Sequence, residues 1–450
     1  MEYNPEIFKA YDIRGLVGKD FDNEFCERLG RAFVVHTKSK TVVLGRDMRG
    51  TSPEYMAAIA KGVMKQGADV IDIGMVTTPM FYFAVRDYEL HDGGIMVTAS
   101  HNPASYNGFK LVDGTAMSIG RDSGGLEIRT LIERNQFPEV PQGTLIETNV
   151  LQDYLDELSE MIDLSAIKGL TVVVDAGNGV GIAVLPELFR RLDVKVIPLY
   201  WEPDGSFPNH EANPIKEENL TALKKRVVDE KADLGIALDG DGDRVTFVDE
   251  KGTTVAPLLT LVLLARELLK KHPGAPIGAD VRCSNVAREE VEKLGSKMIL
   301  MPVGHALAKP IIRRDGVLIS GELAAHYYYG SLGACESTAY TMLLMMGILC
   351  YEKKPLSELV APLRRGFNTG ELNFEVSDRQ GVLDRALAGF RASAASILTF
   401  DGIRLDFADR SWFSIRASNT EPLIRLVVEA QTQERMAELR DGVIALIRPS

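Results

Sequence analysis

A nucleophilic side chain, the hydroxyl of Ser100, stands in the polar hexapeptide Thr-Ala-Ser-His-Asn-Pro at residues 98–103. The apolar run at 94–97 is typical of a buried strand, and the Asn-Pro pair signals a turn. We therefore predict Ser100 at the carboxyl end of a strand, the edge at which open α/β sheets bind ligands. A hydrolase dyad with His101 is not favoured, because adjacent side chains of an extended chain face opposite sides. The remaining alternative is a turn whose polar side chains bond only their own backbone.

A second loop carries three carboxylates at alternate positions directly after the apolar run at 234–238. They are Asp239, Asp241 and Asp243. The glycines between them let the loop curl until the carboxylates face one point, and a hard divalent cation is the expected occupant. A calcium EF-hand is the alternative, since Glu250 is at position twelve counted from Asp239. It is less favoured, because Arg244 stands where that loop needs glycine and both flanks are predicted strands.

A phosphate group would complete this metal site. Mg²⁺ held by protein carboxylates normally takes a phosphate oxygen as well. A phosphoserine at Ser100 would supply that oxygen, and Arg244 could hold the same phosphate. The turn and strand after residue 106 could return Lys110 towards the serine.

Two further polar loops occur in the second half of the chain. The strand predicted at 316–320 leads into Glu322 and His326. For His326, and for His305 before it, a structural histidine with satisfied hydrogen bonds is the alternative. The later loop combines an arginine, two hydroxyls and an amide, which predicts a phosphate cradle or simply a turn. Its members are Arg416, Ser418, Asn419 and Thr420.

Two other loops are less specific. The glycine-rich turn at 176–181 is similar to a dinucleotide fingerprint, but its spacing is G-x-G-x-G and no acid ends the next strand. We interpret it as a tight turn that opens a helix. The loop at 201–210 has the length at which loops in compact domains are often functional.

The elements that position these loops alternate between strands and helices, which predicts the α/β class with mostly parallel sheets. A polar loop after a strand recurs near positions 100, 239 and 321. This recurrence indicates three similar α/β units that face one cleft. A smaller segment of strands and helices follows residue 365.

Composition restricts the classes of function. The length of 450 residues is typical of about three domains. The formal charge of -12 argues against a general nucleic-acid or membrane-surface role. The apolar runs at 258–264 and 342–350 are too short to span a membrane, and the amino terminus has no targeting signal, so we expect a cytoplasmic protein. The four scattered cysteines indicate neither a zinc site nor a disulfide framework.

Five motifs together resemble the α-D-phosphohexomutase family, most closely its bacterial phosphomannomutase/phosphoglucomutase members. They occur in the family's order over nearly the whole chain, at 9–15, 98–103, 239–244, 321–326 and 416–422. The resemblance implies three mixed-sheet α/β domains and a smaller α+β carboxyl-terminal domain around a central cleft. The expected domains are 1–150 for the phosphoserine, 151–252 for the metal, 253–365 for the sugar and 366–450 for the distal phosphate.

The resemblance also implies roles for the matching residues. Ser100 would carry the phosphoryl group and would bind Mg²⁺ together with the three aspartates, and His326 is a candidate proton donor or acceptor. The expected neighbours of the phosphate and the metal are Arg14, His101, Lys110 and Arg244. The expected substrate-binding residues are Tyr11, Arg282, His305, Glu322, Ala324, Arg416, Ser418, Asn419, Thr420 and Arg425.

The implied reaction is the interconversion of mannose 1-phosphate and mannose 6-phosphate through phospho-Ser100 and a hexose 1,6-bisphosphate, which also acts as activator. Mg²⁺ is the expected cofactor and a small phosphosugar the expected partner, with no nucleic acid and no membrane. We expect a monomer or a weak homodimer. Turnover of glucose or glucosamine phosphates stays open, as does a non-catalytic sugar-phosphate sensor.

Two departures from the family pattern concern the sugar. The residues at 323–325 replace the common Met-Ser-Gly, so a serine hydroxyl is missing at Ala324. Arg282 stands where enzymes with dual mannose and glucose specificity often carry lysine. Leu323 stands where glucosamine mutases usually have glutamine, which argues mildly against that class.

Overall fold

Residues 3–418 and 423–448 are described by a computed structural model, and they form four domains, each built on its own β-sheet. Helices cover the sheets. Asn419 and Thr420 of the predicted phosphate cradle lie outside the described residues.

The first domain is a six-stranded mixed sheet with four helices. Its strands are Ile13–Leu16 (β1), Thr41–Arg46 (β2), Asp69–Met75 (β3), Gly93–Val97 (β4), Tyr106–Asp113 (β5) and Leu145–Glu147 (β6). Its helices are Asn23–Thr37 (α1), Ser52–Lys65 (α2), Thr78–Arg86 (α3) and Gly125–Arg134 (α4). The strand order is β1-β5-β4-β2-β3-β6, and β5 is antiparallel to both of its neighbours whereas the other pairs are parallel.

The second domain is a five-stranded mixed sheet. Its strands are Lys168–Asp175 (β7), Asp193–Leu199 (β8), Leu234–Leu238 (β9), Val245–Asp249 (β10) and Thr254–Val255 (β11). Its helices are Leu151–Met161 (α5), Leu185–Arg190 (α6) and Thr221–Asp229 (α7). Because β9 and β10 pair antiparallel, the acidic loop joins two strands and the EF-hand alternative is wrong.

The third domain repeats this plan. Its strands are Ile277–Asp280 (β12), Met298–Met301 (β13), Ile319–Gly321 (β14), Tyr327–Tyr329 (β15) and Cys335–Glu336 (β16). Its helices are Pro257–Leu269 (α8), Asn285–Lys293 (α9), His305–Asp315 (α10), Thr338–Glu352 (α11) and Leu356–Val360 (α12). The strand predicted at 316–320 begins later, because Gly316 is left-handed, with φ of 62°, and caps α10.

The fourth domain is an antiparallel sheet with two helices. Its strands are Phe367–Asn368 (β17), Leu372–Glu375 (β18), Ser396–Leu398 (β19), Ile403–Asp406 (β20), Trp412–Ala417 (β21) and Leu423–Ala430 (β22). Its helices are Arg379–Phe390 (α13) and Gln433–Ile447 (α14). Both pack on one compact apolar core with β20, β21 and β22.

One strand is equivalent in each of the first three sheets. The strands β4, β9 and β14 each have a parallel neighbour on one side and an antiparallel neighbour on the other. The loop after each of them carries Ser100, Asp239 and Glu322, respectively. The predicted recurrence of strand and polar loop therefore reflects one topology used three times.

The two apolar runs lie in α8 and α11, which are buried along most of their lengths. Their faces join the largest hydrophobic core, which extends across the first three domains. Among the helices within 3–418 and 423–448, none has both the length and the apolar character of a membrane span.

Candidate functional site

Ser100 lies on the loop between β4 and β5, and its backbone is left-handed, with φ of 51°. Its Oγ donates to Oδ2 of Asp239 at 3.1 Å, and its N–H donates to Oγ1 of Thr98 at 2.9 Å. The Oγ also lies 3.0 Å from Nδ1 of His101. We expected these adjacent side chains to face opposite sides, and this was wrong, because the left-handed residue breaks the alternation of an extended chain.

The carboxylates of Asp239, Asp241 and Asp243 converge, with one oxygen from each lying within 4.8 Å of the others. Oδ1 of Asp239 accepts from the backbone N–H groups of Asp243 and Arg244, at 3.0 and 3.1 Å, which holds the loop curled. Oδ1 of Asp241 and of Asp243 are buried and have no hydrogen-bond partner in the described part of the chain. Such orphaned carboxylate oxygens, gathered at one point, fit a hard divalent cation.

Lys110 compensates part of this negative charge. The pairing of β4 with β5 sets Lys110 opposite Met96, and its Nζ lies 2.8 Å from Oδ2 of Asp241 and 2.5 Å from Oδ2 of Asp243. Burial lowers the pKa of Lys110, but the two aspartates outweigh burial and raise it. The lysine is therefore charged at neutral pH.

The carboxylates differ in their pKa values. Burial raises the pKa of Asp239, and the neighbouring Asp243 and Asp241 raise it further. Burial also raises the pKa of Asp243, but Lys110 and Arg244 outweigh it and bring that pKa to about 2. A cation bound here would stabilise the charged form of all three aspartates.

His326 contacts the same group of charges. Nε of Arg244 donates to Nε2 of His326 at 3.0 Å, so Nε2 is the unprotonated ring nitrogen. Burial lowers the pKa of His326, and the cations of Arg244 and Lys110 lower it further. The imidazole is therefore neutral and can accept a proton at Nε2 once Arg244 moves to another partner.

Arg14 approaches the serine loop from β1. Its Nε donates to Oδ2 of Asp12 at 2.8 Å, and its Nη1 donates to Oδ1 of Asn102 at 2.5 Å. The guanidinium thus lies beside the loop that carries Ser100.

Glu322 occupies the corresponding loop of the third domain. Its Oε1 accepts from the N–H of Gly304 at 3.1 Å and from the hydroxyl of Tyr328 at 2.8 Å. Burial raises the pKa of Glu322 to about 7, and Asp280 contributes in the same direction. Ala324, two residues on, is partly buried and has no side-chain polar atom to offer a sugar.

Tyr11 and His305 meet across the boundary between the first and third domains. The hydroxyl of Tyr11 donates to the carbonyl of Val303 at 2.6 Å, and the two rings lie 5.7 Å apart. Nδ1 of His305 lies 2.7 Å from Oγ of Ser118. Burial lowers the pKa of His305, so this ring is also neutral.

Arg282 joins the third domain to the fourth. It forms a two-point contact with Asp280, at 3.0 and 2.7 Å, and its Nη1 donates to Oε2 of Glu371 at 2.6 Å. Glu371 also pairs with Arg425, at 3.3 Å. Two of the three arginines predicted to bind substrate, Arg282 and Arg425, therefore meet at one carboxylate.

Arg416 and Ser418 belong to β21 and its end. Arg416 pairs with Oδ1 of Asp401 at 3.1 Å, and Oδ2 of Asp401 accepts from the N–H of Val303 at 2.8 Å. The backbone of Ser418 pairs with Leu423. The arginine thus stands near the loop of the third domain that precedes His305.

Sequence reasoning missed several residues of this region. Arg49, two residues after Asp47, binds the carbonyl of Ser100, and Thr78 donates to Oδ2 of Asp241 at 2.8 Å. Glu336 lies 3.8 Å from Nδ1 of His326 and 3.1 Å from Nζ of Lys309. The Gly-Arg-Asp sequence at 45–47 after a strand was a signal for Arg49, whereas nothing in the sequence indicated Glu336.

The glycine-rich turn packs against the loop that carries the three aspartates. The N–H of Val180 donates to the carbonyl of Gly240 at 2.9 Å. A Cβ at Gly179 would come within 2.9 Å of the same carbonyl oxygen, so the close approach requires glycine.

Family models for phosphoglucomutase/phosphomannomutase match the chain in four consecutive segments. The α/β/α domains I, II and III match residues 5–139, 152–252 and 259–365. The carboxyl-terminal domain matches residues 371–446.

Individual proteins are similar over nearly the full length. The phosphomannomutase of Salmonella typhimurium is 38% identical over 443 residues, which cover 96% of each chain. That of Vibrio cholerae is 38% identical over 455 residues, covering 98% of this chain and 97% of the relative. The crystal structure of a phosphoglucomutase/phosphomannomutase family protein from Burkholderia thailandensis has a TM-score of 0.91 at 32% identity, covering 100% of this chain and 99% of that chain.

Proposed function

The chain belongs to the phosphoglucomutase/phosphomannomutase family, and on this premise we propose that it interconverts mannose 1-phosphate and mannose 6-phosphate. The contact that carries the proposal is that of Ser100 Oγ with Asp239, 3.1 Å apart, beside two further aspartates. It combines a nucleophile, a cation site and fixed positive charges in one buried place. That combination suits phosphoryl transfer, in which positioning and electrostatic stabilisation supply most of the catalysis.

In the first transfer, phospho-Ser100 donates its phosphoryl group to the 6-hydroxyl of mannose 1-phosphate. The bond from phosphorus to Oγ breaks and Oγ takes up a proton from water. A bond from phosphorus to the sugar oxygen forms, and the hydroxyl proton leaves the sugar. Nε2 of His326, which accepts a hydrogen bond from Arg244, is the proposed acceptor of that proton. The product is a 1,6-bisphosphate.

In the second transfer, the bisphosphate reorients, and Ser100 Oγ returns its proton to water as it attacks the phosphorus of the phosphate on carbon 1. The bond to the sugar oxygen breaks, and that oxygen regains a proton from His326. The phosphoserine is restored and mannose 6-phosphate leaves. A hexose 1,6-bisphosphate would also load an unphosphorylated enzyme, which is why we propose it as activator.

The three aspartates, with an oxygen of the phosphoserine, are the proposed ligands of Mg²⁺, and their orphaned oxygens support this assignment. When bound, Mg²⁺ would neutralise charge on the transferring phosphoryl group. Lys110, Arg14 and Arg244 supply fixed positive charge around the same oxygens. These cations would favour the transition state, in which charge spreads over the equatorial oxygens.

The rest of the substrate is assigned to the third and fourth domains, with Tyr11 from the first. Glu322 is proposed to bind sugar hydroxyls, with Tyr11, His305 and Arg282 around it. Arg416, Ser418 and Arg425 are proposed to hold the phosphate that does not react, together with Asn419 and Thr420. The domain boundaries, the cytoplasmic location and a monomeric or weakly dimeric state remain predictions.

The test is ³¹P NMR of the purified protein with Mg²⁺ and mannose 1-phosphate, primed with a trace of glucose 1,6-bisphosphate. We expect the 6-phosphate to accumulate to equilibrium. Parallel reactions with glucose 1-phosphate and glucosamine 1-phosphate compare the three sugars. Conversion of glucosamine 1-phosphate alone would contradict the proposed substrate, and a lack of turnover with all three would favour a sugar-phosphate sensor.

A further inference from the structure

Arg49 lies beside the serine loop, and every N–H donor of its side chain has a hydrogen-bond partner. It is 2% exposed, and a guanidinium has five N–H donors. Its Nε donates to Oδ2 of Asp47 at 3.1 Å. The other four donors bind four backbone carbonyls at 2.6–3.0 Å, those of Ser100, Asn102, Pro103 and Tyr106.

The carbonyls of Ser100 and Asn102 need such a partner because their loop lies outside the sheet ladder, whereas that of Pro103 also accepts from the N–H of Tyr106 at the start of β5. The strand β4 ends at Val97 and β5 begins at Tyr106, so the residues between them lack regular pairing. Buried carbonyls without partners are costly, and a left-handed serine persists only where its surroundings hold it. Arg49 pairs with Ser100 itself and with the turn that follows it.

Asp47 and the 201–210 loop hold the Arg49 side chain in place. Oδ1 of Asp47 accepts from the backbone N–H of Arg49 at 2.9 Å and from Oγ of Ser52 at 2.6 Å. From the second domain, the ring of Phe207 lies 5.1 Å from the guanidinium carbon, within cation–π distance. A Cβ at Gly205 would come within 2.7 Å of the Arg49 Cα, so the loop at 201–210 packs directly against this arginine.

We propose that Arg49 is a positioning residue for phosphoryl transfer: it fixes the backbone of residues 100–106 so that Ser100 Oγ stays beside Asp239, and the 201–210 loop seals it in place. The inference rests on the proposed function. Through Arg49, the 201–210 loop couples the second domain to the backbone conformation of Ser100. The hydrogen bonds that Arg49 donates within residues 3–418 and 423–448 all go to Asp47, to the serine loop and to the start of β5, and none goes to a residue proposed to bind the sugar.

Two substitutions test the assignment. Arg49→Lys keeps the charge but loses the planar five-donor geometry, and Arg49→Met loses both. In each variant we expect hydrogen exchange of the amides at 98–107 to accelerate at least tenfold. We also expect kcat to fall about 100-fold with KM changed less than about threefold, because a displacement of about 1 Å at a reacting atom has an effect of that size.

Arg404→Lys is the matched control. Arg404 is 1% exposed, stacks on Trp412 and donates to the carbonyls of Val281 and Cys283, far from the serine. We expect it to leave exchange at 98–107 as in the wild type, whatever its effect on thermal stability. Phe207 is partly exposed, and Phe207→Leu removes only the ring that lies against the Arg49 guanidinium. We expect this variant to accelerate hydrogen exchange at 98–107 by less than the Arg49 variants do.

Unchanged exchange at 98–107 in folded Arg49→Lys would overturn the inference, as would a kcat within twofold of the wild type. Should neither Arg49 variant fold, Phe207→Leu decides, and exchange as in the wild type overturns the inference. A wild-type protein that converts no hexose phosphate would refute the proposed function alone, since the exchange measurement does not require turnover.

Discussion

Ser100 and Asp239 are 139 residues apart in the chain, yet the serine hydroxyl donates a hydrogen bond of 3.1 Å to the aspartate. The two residues lie on the loops that follow equivalent strands, β4 and β9, of different domains. Packing these strand ends face to face brings the nucleophile to the cation site.

Ser100→Ala is expected to abolish turnover, with a loss of kcat of at least about 10⁴-fold, since removing a nucleophile has effects of that order or larger. Substrate binding should persist, because the hydroxyl is not proposed to bind the sugar. Intact-mass spectrometry after incubation with glucose 1,6-bisphosphate should show one added phosphoryl group in the wild type and none in the variant. An added phosphoryl group on the variant would show that a residue other than Ser100 carries it.

Mg²⁺ is expected to stabilise the protein through the three aspartates. At about 100 times its Kd, a ligand that binds only the folded state raises the free energy of unfolding by about 2.7 kcal/mol. Asp241→Asn should lose most of that gain, measured by urea unfolding with and without Mg²⁺. Glu250→Gln is the control, because Glu250 pairs with Ser357 outside the triad. An equal gain in both variants would argue against the assigned ligands.

Lys110→Met removes the cation that pairs with two buried aspartates. Without a divalent cation, we expect the free energy of unfolding to fall by about 3–5 kcal/mol, since the carboxylates are left uncompensated. Mg²⁺ should recover much of the loss, because it restores positive charge at the same oxygens. Lys61→Met, at an exposed pair with Glu27 of 2.7 Å, should leave the unfolding midpoint unchanged. An equal loss of unfolding free energy with and without Mg²⁺ would contradict the idea that Lys110 and Mg²⁺ compensate the same carboxylates.

Stability should fall as the pH rises through the range in which Glu322 titrates. Burial raises the pKa of this carboxyl from 4.5 to about 7, so the folded state binds a proton that the unfolded state has released. The resulting decrease in the free energy of unfolding is absent below pH 4.5 and complete above pH 7, where it reaches about 3 kcal/mol. Unfolding of the wild type and Glu322→Gln across this range measures it, and the difference between them should vary with pH. A constant difference would show that Glu322 does not titrate there.

Arg416→Ala should act mainly on substrate binding. A charge-assisted hydrogen bond contributes about 1.5–3 kcal/mol, so we expect KM to rise by about tenfold to 100-fold. The value of kcat should change little, since Arg416 lies in the fourth domain, away from Ser100. Steady-state kinetics with mannose 1-phosphate distinguishes the two constants, and a loss confined to kcat would count against a binding role.

The fold class and the family were predictable from the sequence, and both are confirmed. The apolar runs before Ser100 and Asp239 are strands, and the two longest apolar runs are buried helices, as expected. The roles of the individual site residues remain predictions. The expectation that Ser100 and His101 diverge was wrong. It assumed an extended backbone, and the pattern of polar and apolar residues does not reveal that Ser100 has a positive φ.

By itself, the sequence determined the parts that depend on neighbours along the chain. A serine in a turn after an apolar run, and three aspartates spaced by single residues, are local patterns whose chemistry follows from their spacing. The alternation of strands and helices is local in the same sense, since it follows from short-range periodicity.

Only the tertiary structure decided which distant groups share a charge or a hydrogen bond. The four carbonyls that bind Arg49, the aspartates that hold Lys110 and the hydrogen bond of Arg244 to His326 all join residues far apart in the chain. Burial then sets the strength of these contacts, because removal from water makes each unpaired charge or carbonyl costly. The physical reason is that packing of whole domains, and not local preference, brings these groups together.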